Sequence, residues 1–301
     1  MWAALEGFAT IGIVMAVGFV LARARLVGRS AQRALGDVAF FVGQPALVLV
    51  AVAEADLDRL LGWHVVAFGA ACVTGGLAFA LLMARRWRTG RAEAAIGYLA
   101  TSYVNAGNLG IPIAAFVLGD PAWAAPAMLL QVLVLQPSAV AVLESSPAGR
   151  GRSVLRSFAT HPLVLGGLIG LALNLLSWQP PRLLWAPLTL LADLGIPAML
   201  LAFGMSLHSS PLPRRLSRRA VAAIVTKSFV VPGLALIIAL ALGLSGTPLR
   251  AAVVLAALPT AQVVFVHAVR YKVGIRLVQA TTLWSMLLSI PVIVAAGALL
   301  R

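Results

Sequence analysis

Ten apolar stretches follow one another along this chain with only short connections between them. A membrane helix needs about 20 mainly apolar residues. The stretches lie at 2–22, 36–54, 62–84, 93–118, 122–143, 161–178, 184–207, 220–243, 250–268 and 278–299. No connection is long enough for a soluble domain, and the longest, 144–160, separates two groups of five. The expected fold is an all-α polytopic membrane protein. A first five-span repeat would occupy 1–143, a cytoplasmic linker 144–160, and a second five-span repeat 161–301.

Of 301 residues, 61% are hydrophobic and 11% charged. Soluble domains carry about 25% charged residues. A soluble chain of this composition would have to hide more apolar surface than one core can hold. The net charge of +14 would suit nucleic acid, but the charges sit in short clusters between apolar stretches rather than on one basic face. The expected surroundings are therefore membrane lipid, with no nucleic-acid partner. Cys72 is the only cysteine, so no internal disulfide can form. The first apolar stretch is too long for a cleaved signal peptide, and its arginines follow it rather than precede it.

Basic residues in loops orient a membrane chain. Clusters around Arg23–Arg33, Arg85–Arg91, Arg150–Arg156, Arg214–Arg219 and Arg270–Arg276 put eighteen Lys and Arg on one side. The other side has four: Arg59, Arg182, Arg250 and Arg301. The alternation predicts an inner-membrane protein with both termini on the non-cytoplasmic side.

The two halves look related. Pro45 and Pro197 are 152 residues apart, and Pro112 and Pro259 are 147 apart. Five spans is an odd number, so the second half enters the membrane upside down, which is the inverted-repeat pattern of secondary transporters. Span 4 carries Asn105, Gly107, Asn108, Gly110 and Pro112 near mid-membrane; span 9 carries Pro259, Thr260 and Gln262. Glycine and proline weaken a helix where the backbone cannot turn to water. Interrupted helices at matching places in two halves point to a transport site, and freed N–H groups there favour an anion. The plainer reading is a pair of proline kinks with asparagine as interhelical glue.

These residues carry a family resemblance. The sequence resembles the auxin efflux carrier family, which includes bacterial carboxylate transporters and the plant PIN-FORMED proteins. The likeness rests on Pro45-Ala46-Leu47; on Asn105 with Gly110-Ile111-Pro112; and on Asp193, Gly195 and Pro197 running on to Phe203-Gly204-Met205 and Leu207. Lys227 with Pro232, Ala257-Leu258-Pro259-Thr260-Ala261, Val266-His267-Ala268 and Tyr271 continue it, in order along nearly the whole chain. The resemblance implies a scaffold of spans 1, 2, 6 and 7, often a homodimer, and a transport domain of spans 3–5 and 8–10. It implies that spans 4 and 9 cross at their prolines and that Asn105 helps to bind a carboxylate beside the crossing. The plant members' long central loop is absent, and Asn108 stands where many bacterial members have a bulky apolar residue.

Two charges fall inside spans. Lys227 lies roughly 12 Å from the basic end of span 8; it reads as a snorkelling helix anchor or as a cation facing the bundle. Asp193 lies near the middle of span 7. It reads as a coupling site for a proton or sodium ion, as a partner of Lys227, or as a cap on a broken segment before Pro197. Gln44 either lines the site or satisfies a kinked backbone. Gln131 and Gln136 read as interhelical hydrogen bonds, and His267 as an interfacial histidine, with a proton relay as the alternative.

No catalytic nucleophile with a base, no metal-ligand cluster and no phosphate loop stands out, so neither an enzyme nor a bound metal or cofactor is expected. The expected activity is secondary transport of a small organic anion, a carboxylate, by alternating access of an elevator kind. A channel or a membrane sensor of organic acids is the alternative. Substrate identity, direction and coupling are not legible.

Overall fold

A computed structural model describes residues 2–54, 62–110, 113–147, 160, 162–209 and 216–300. Among them the chain is helical, with no strand. We label the helices α1 (Trp2–Arg23), α2 (29–53), α3 (Trp63–Arg86), α4 (Arg91–Ser102), α5 (Ala125–Glu144) and α6 (Pro162–Leu175). Then follow α7 (Arg182–Ser209), α8 (Arg218–Ala241), α9 (Gly246–Ala257), α10 (Gln262–Tyr271) and α11 (Ile275–Leu299). Two π-helical turns, Ala106–Gly110 and Ala114–Leu118, lie between α4 and α5.

Prolines shape three of the long helices. A wide turn at Ala39–Gly43 precedes Pro45, one at Gln131–Leu135 precedes Pro137, and one at Thr226–Val230 precedes Pro232. A proline ring clashes with the carbonyl four residues back and offers no N–H. Widening the preceding turn by one residue relieves the clash and keeps the helix going. By contrast α7 runs straight through Pro187 and Pro197.

By length and composition, six helices among the described residues can cross a membrane: Ser30–Ala53, Trp63–Arg86, Ala125–Glu144, Arg182–Met205, Arg218–Ala241 and Ile275–Leu299. Gly12–Arg23, Pro162–Leu175 and Gly246–Ala257 are apolar but shorter. Most of the expected linker at 144–160 lies outside the described residues.

The helices pack in two groups. α1, α2, α6 and α7 pack on one another, while α3, α4, α5, α8, α9, α10 and α11 form the second group. The first group is held close by glycine. A Cβ on Gly18 of α1 would strike the Leu201 carbonyl of α7, and one on Gly170 of α6 would strike the Leu49 carbonyl of α2. Gly43 of α2 and Gly195 of α7 face each other backbone to backbone. Small residues let helix backbones approach in this way where no hydrophobic force drives helices together in lipid. Between the groups, Arg270 of α10 stacks over Phe40 and Phe41 of α2, 5.3 and 5.2 Å from their ring centres. His267 of α10 is buried and meets Phe40 edge-on, so its ring faces the packing between the groups rather than the protein surface.

Candidate functional site

Two interrupted helices meet in the second group. α4 ends at Ser102, and Tyr103 is extended (φ −88°, ψ 110°). α9 ends at Ala257; Leu258 and Ala261 are extended before α10 begins at Gln262. The two extended pieces pair antiparallel, with Val104 opposite Thr260. The Asn105 amide donates to the Pro259 carbonyl (2.8 Å), and the Ala261 amide donates to the Tyr103 carbonyl (3.1 Å). The first break thus falls at Tyr103–Asn105, at the front of the stretch from Asn105 to Pro112 where the sequence suggested it. A proline is not required for it. Backbone groups freed from helix bonding need only other partners.

Those partners are identifiable. Gln131 Oε1 of α5 accepts from the Val104 amide. Ser285 Oγ of α11 accepts from the Thr260 amide (3.1 Å). The Thr260 hydroxyl donates to the Ala100 carbonyl in the last turn of α4 (2.6 Å). Lys227 Nζ of α8 donates to the Ala256 carbonyl in the last turn of α9 (2.8 Å). Helix C-termini leave four carbonyls without intrahelical donors, so each half-helix that stops at the crossing has one of them capped. Tyr103 is itself held by a hydrogen bond from its hydroxyl to Gln136 Oε1 (3.1 Å).

A cavity of about 30 Å³ lies against this pairing, lined among others by Gln44, Asn105, Gly107, Met128, Gln131 and Met199. That is room for a water or two. Gln44 and Asn105 are therefore brought together at one space, from helices of the two different groups. Among the described residues, Gln44 Nε2 and Gln262 Oε1 are buried without a hydrogen-bond partner.

The other expected site residues have other places. Thr260 is fully buried and its hydroxyl serves α4. Pro259 contributes its carbonyl to the pairing. Gly110 packs near Leu258, where a Cβ would come within 3.1 Å of the leucine side chain. Asn108 lies in the wide turn Ala106–Gly110, but its side chain, like the whole of Pro112, lies outside the described residues.

Lys227 and Asp193 are not a pair. Lys227 is fully buried and engaged at Ala256, so it does not snorkel. Asp193 is exposed on α7. Because α7 is continuous through Pro197, there is also no broken segment there for Asp193 to cap. Gln131, Gln136, Tyr103 and Ser285 are the residues whose part in the crossing was not legible in advance. The two glutamines read as interhelical donors and acceptors, which is correct as far as it goes. What they bond to depends on where α4 stops. Among the described residues, no three His, Cys, Asp or Glu side chains gather as metal ligands would.

Residues 146–295 match the family described as membrane transport protein. A Rhizobium meliloti (strain 1021) protein named "Putative malonate transporter" is 30% identical over 274 residues, which is 87% of this chain and 84% of that protein. Auxin efflux carrier components 7 and 1 of Arabidopsis thaliana are 30% and 28% identical over 144 residues, 46% of this chain. The match spans only 23% of each of those plant proteins.

Proposed function

This chain belongs to the membrane transport protein family that includes auxin efflux carriers, as a multi-pass membrane transporter and not an enzyme, and from that premise we propose that it carries a small carboxylate past the α4–α9 crossing. The observation that carries the proposal is the pairing of Val104 with Thr260 beside a cavity shared by Gln44 and Asn105. Donors near α10's first turn and the amides of Gln44 and Asn105 suit a carboxylate. Malonate is the first substrate to test, because the relative covered over most of its length carries that name.

Ten spans in two inverted halves are part of this reading. Gly18 and Gly170 are 152 positions apart, and so are Leu201 and Leu49, the carbonyls they meet. Gly43 and Gly195 have the same separation and touch each other, as a pair on a two-fold axis must. Val104 and Thr260 also touch each other; they are 156 apart, as are the capped carbonyls of Ala100 and Ala256. The counterpart of Pro259 in this register is Tyr103 rather than Pro112.

The cavity is too small for a dicarboxylate, and its walls come from both helix groups. Admission of substrate therefore requires the groups to move apart. In this proposal α1, α2, α6 and α7 are the scaffold, with a homodimer formed through it, and the second group moves. In this proposal coupling to a proton or sodium ion runs through Asp193, since Lys227 is engaged at Ala256. The termini lie on the non-cytoplasmic side of the inner membrane in this reading.

The test is counterflow in proteoliposomes. Vesicles preloaded with unlabelled malonate should accumulate labelled malonate transiently, with saturation. Flux that is linear in malonate and shows no counterflow would indicate a channel. Absence of both flux and binding over a panel of organic acids would reject the carboxylate reading.

A further inference from the structure

A second cleft, separate from the crossing, lies at the basic ends of α8 and α11. A cleft of about 780 Å³ opens there between Trp87, Glu93, Arg218, Arg219, Lys272 and Arg276. Four of these six side chains are cations and one is an acid. Arg219 is paired with Glu93 at 3.1 Å. Arg218, Lys272 and Arg276 are exposed, and among the described residues none of the three makes an ion pair. The cleft therefore keeps an unbalanced positive charge.

Two helices also begin at its edge. α8 starts at Arg218 behind Ser217, whose hydroxyl accepts from the Ala220 amide (3.1 Å). α11 starts at Ile275 behind Gly274, with no side-chain cap. The first-turn amides of α11 thus add to the field of the three cations.

Below the cleft the surface changes character. On α8, Arg218, Val221, Val225 and Phe229 fall on one helical face, and the last three are 45%, 45% and 51% exposed. On α11, Arg276 stands above Leu283 and Leu287 in the same way, and Leu287 is 54% exposed. α8 and α11 pack side by side. A cationic cleft thus sits on top of an apolar stripe on each of two helices that pack together. A soluble phosphate would use only the top of this surface, whereas a phospholipid matches both parts.

We propose that this cleft binds the phosphate headgroup of an anionic phospholipid, with its acyl chains lying along α8 and α11. Basic pockets between membrane helices suit such headgroups. The site belongs to the helix group that carries the crossing, so an occupied cleft brackets α8, the helix that bears Lys227.

The test uses the purified full chain in detergent with three additives: phosphatidylglycerol, phosphatidylcholine and soluble glycerol phosphate. A ligand that binds only the folded state raises apparent stability. Phosphatidylglycerol should raise the melting temperature; the other two should not. Arg218→Gln with Arg276→Gln should lose most of that rise, whereas Arg218→Lys with Arg276→Lys should keep it. Arg23→Gln with Arg25→Gln removes equal charge elsewhere and should also keep it. If the double glutamine variant is obtained in low yield, Arg276→Gln alone carries the same comparison. An equal rise with phosphatidylcholine, an equal rise with glycerol phosphate, or a full response in the glutamine variant would each overturn the proposal.

Discussion

Lys227 reaches from α8 to donate a 2.8 Å hydrogen bond from its Nζ to the carbonyl oxygen of Ala256, in the last turn of α9. A helix C-terminus carries roughly half a negative charge. Left uncapped beside the crossing, that pole would repel a carboxylate. The ammonium group reverses the sign of the local field. It also accounts for a fully buried lysine that has no carboxylate partner among the described residues.

Lys227→Met should therefore weaken carboxylate binding more than it weakens the fold. Charges roughly 10 Å apart at an effective dielectric of about 20 interact by about 1.7 kcal/mol, on the order of a tenfold change in affinity or somewhat more. The stability change should be small, because the lost hydrogen bond is offset by no longer burying a charge. Binding isotherms and melting curves for parent and variant separate the two effects. Unchanged affinity would remove Lys227 from the electrostatics of the site.

Thr260→Val keeps shape but removes the hydroxyl that caps Ala100. The cost should be about 1–2 kcal/mol, seen as a fall of a few degrees in melting temperature. Ser285→Ala should cost a similar amount by orphaning the Thr260 amide. The two residues share one network, so the double variant should fall short of the sum. Strict additivity would show that the two caps act independently.

Asp193→Asn tests coupling. A carboxylate that takes up and releases the coupling cation must titrate or exchange during transport. If Asp193 is that group, the variant should lose any pH or sodium dependence of malonate uptake and still bind malonate. A pH profile that matches the parent's would leave Asp193 as a surface carboxylate of α7.

The interruptions near Asn105 and at Pro259 were readable from residue type and spacing; their crossing, with Asn105 beside it, was implied by the family resemblance, and the spacing match of Pro112 to Pro259 is not the register in which the two pieces pair. Periodicity and proline chemistry are local, and both survive without knowledge of neighbours. The location of the first break was readable only approximately. Tyr103 is not a helix breaker, and its extended backbone persists because Gln131, far along the chain, accepts the Val104 hydrogen bond. The partner of Lys227 was hidden for the same reason. Depth in the membrane can be counted along a helix, but the direction in which a side chain points depends on packing, and α8 turns Lys227 toward α9 rather than toward α7. His267 is a third case: its edge-on contact with Phe40 is made to a side chain of another helix, far away in sequence.

Asn105 holds the centre of the account, since its backbone N–H is in the Pro259 pairing and the residue lines the cavity. The most direct test is equilibrium binding of malonate to the purified protein, with Asn105→Ala compared with the parent. The backbone pairing does not use the side chain, so the pairing should survive in the variant, and a melting curve recorded alongside binding shows that the compared protein is folded. Losing hydrogen bonds to a charged ligand should cost about 1.5–3 kcal/mol, which is about a tenfold to hundredfold loss of affinity. Parental affinity in a well-folded Asn105→Ala variant would contradict the claim that the carboxylate binds at the crossing.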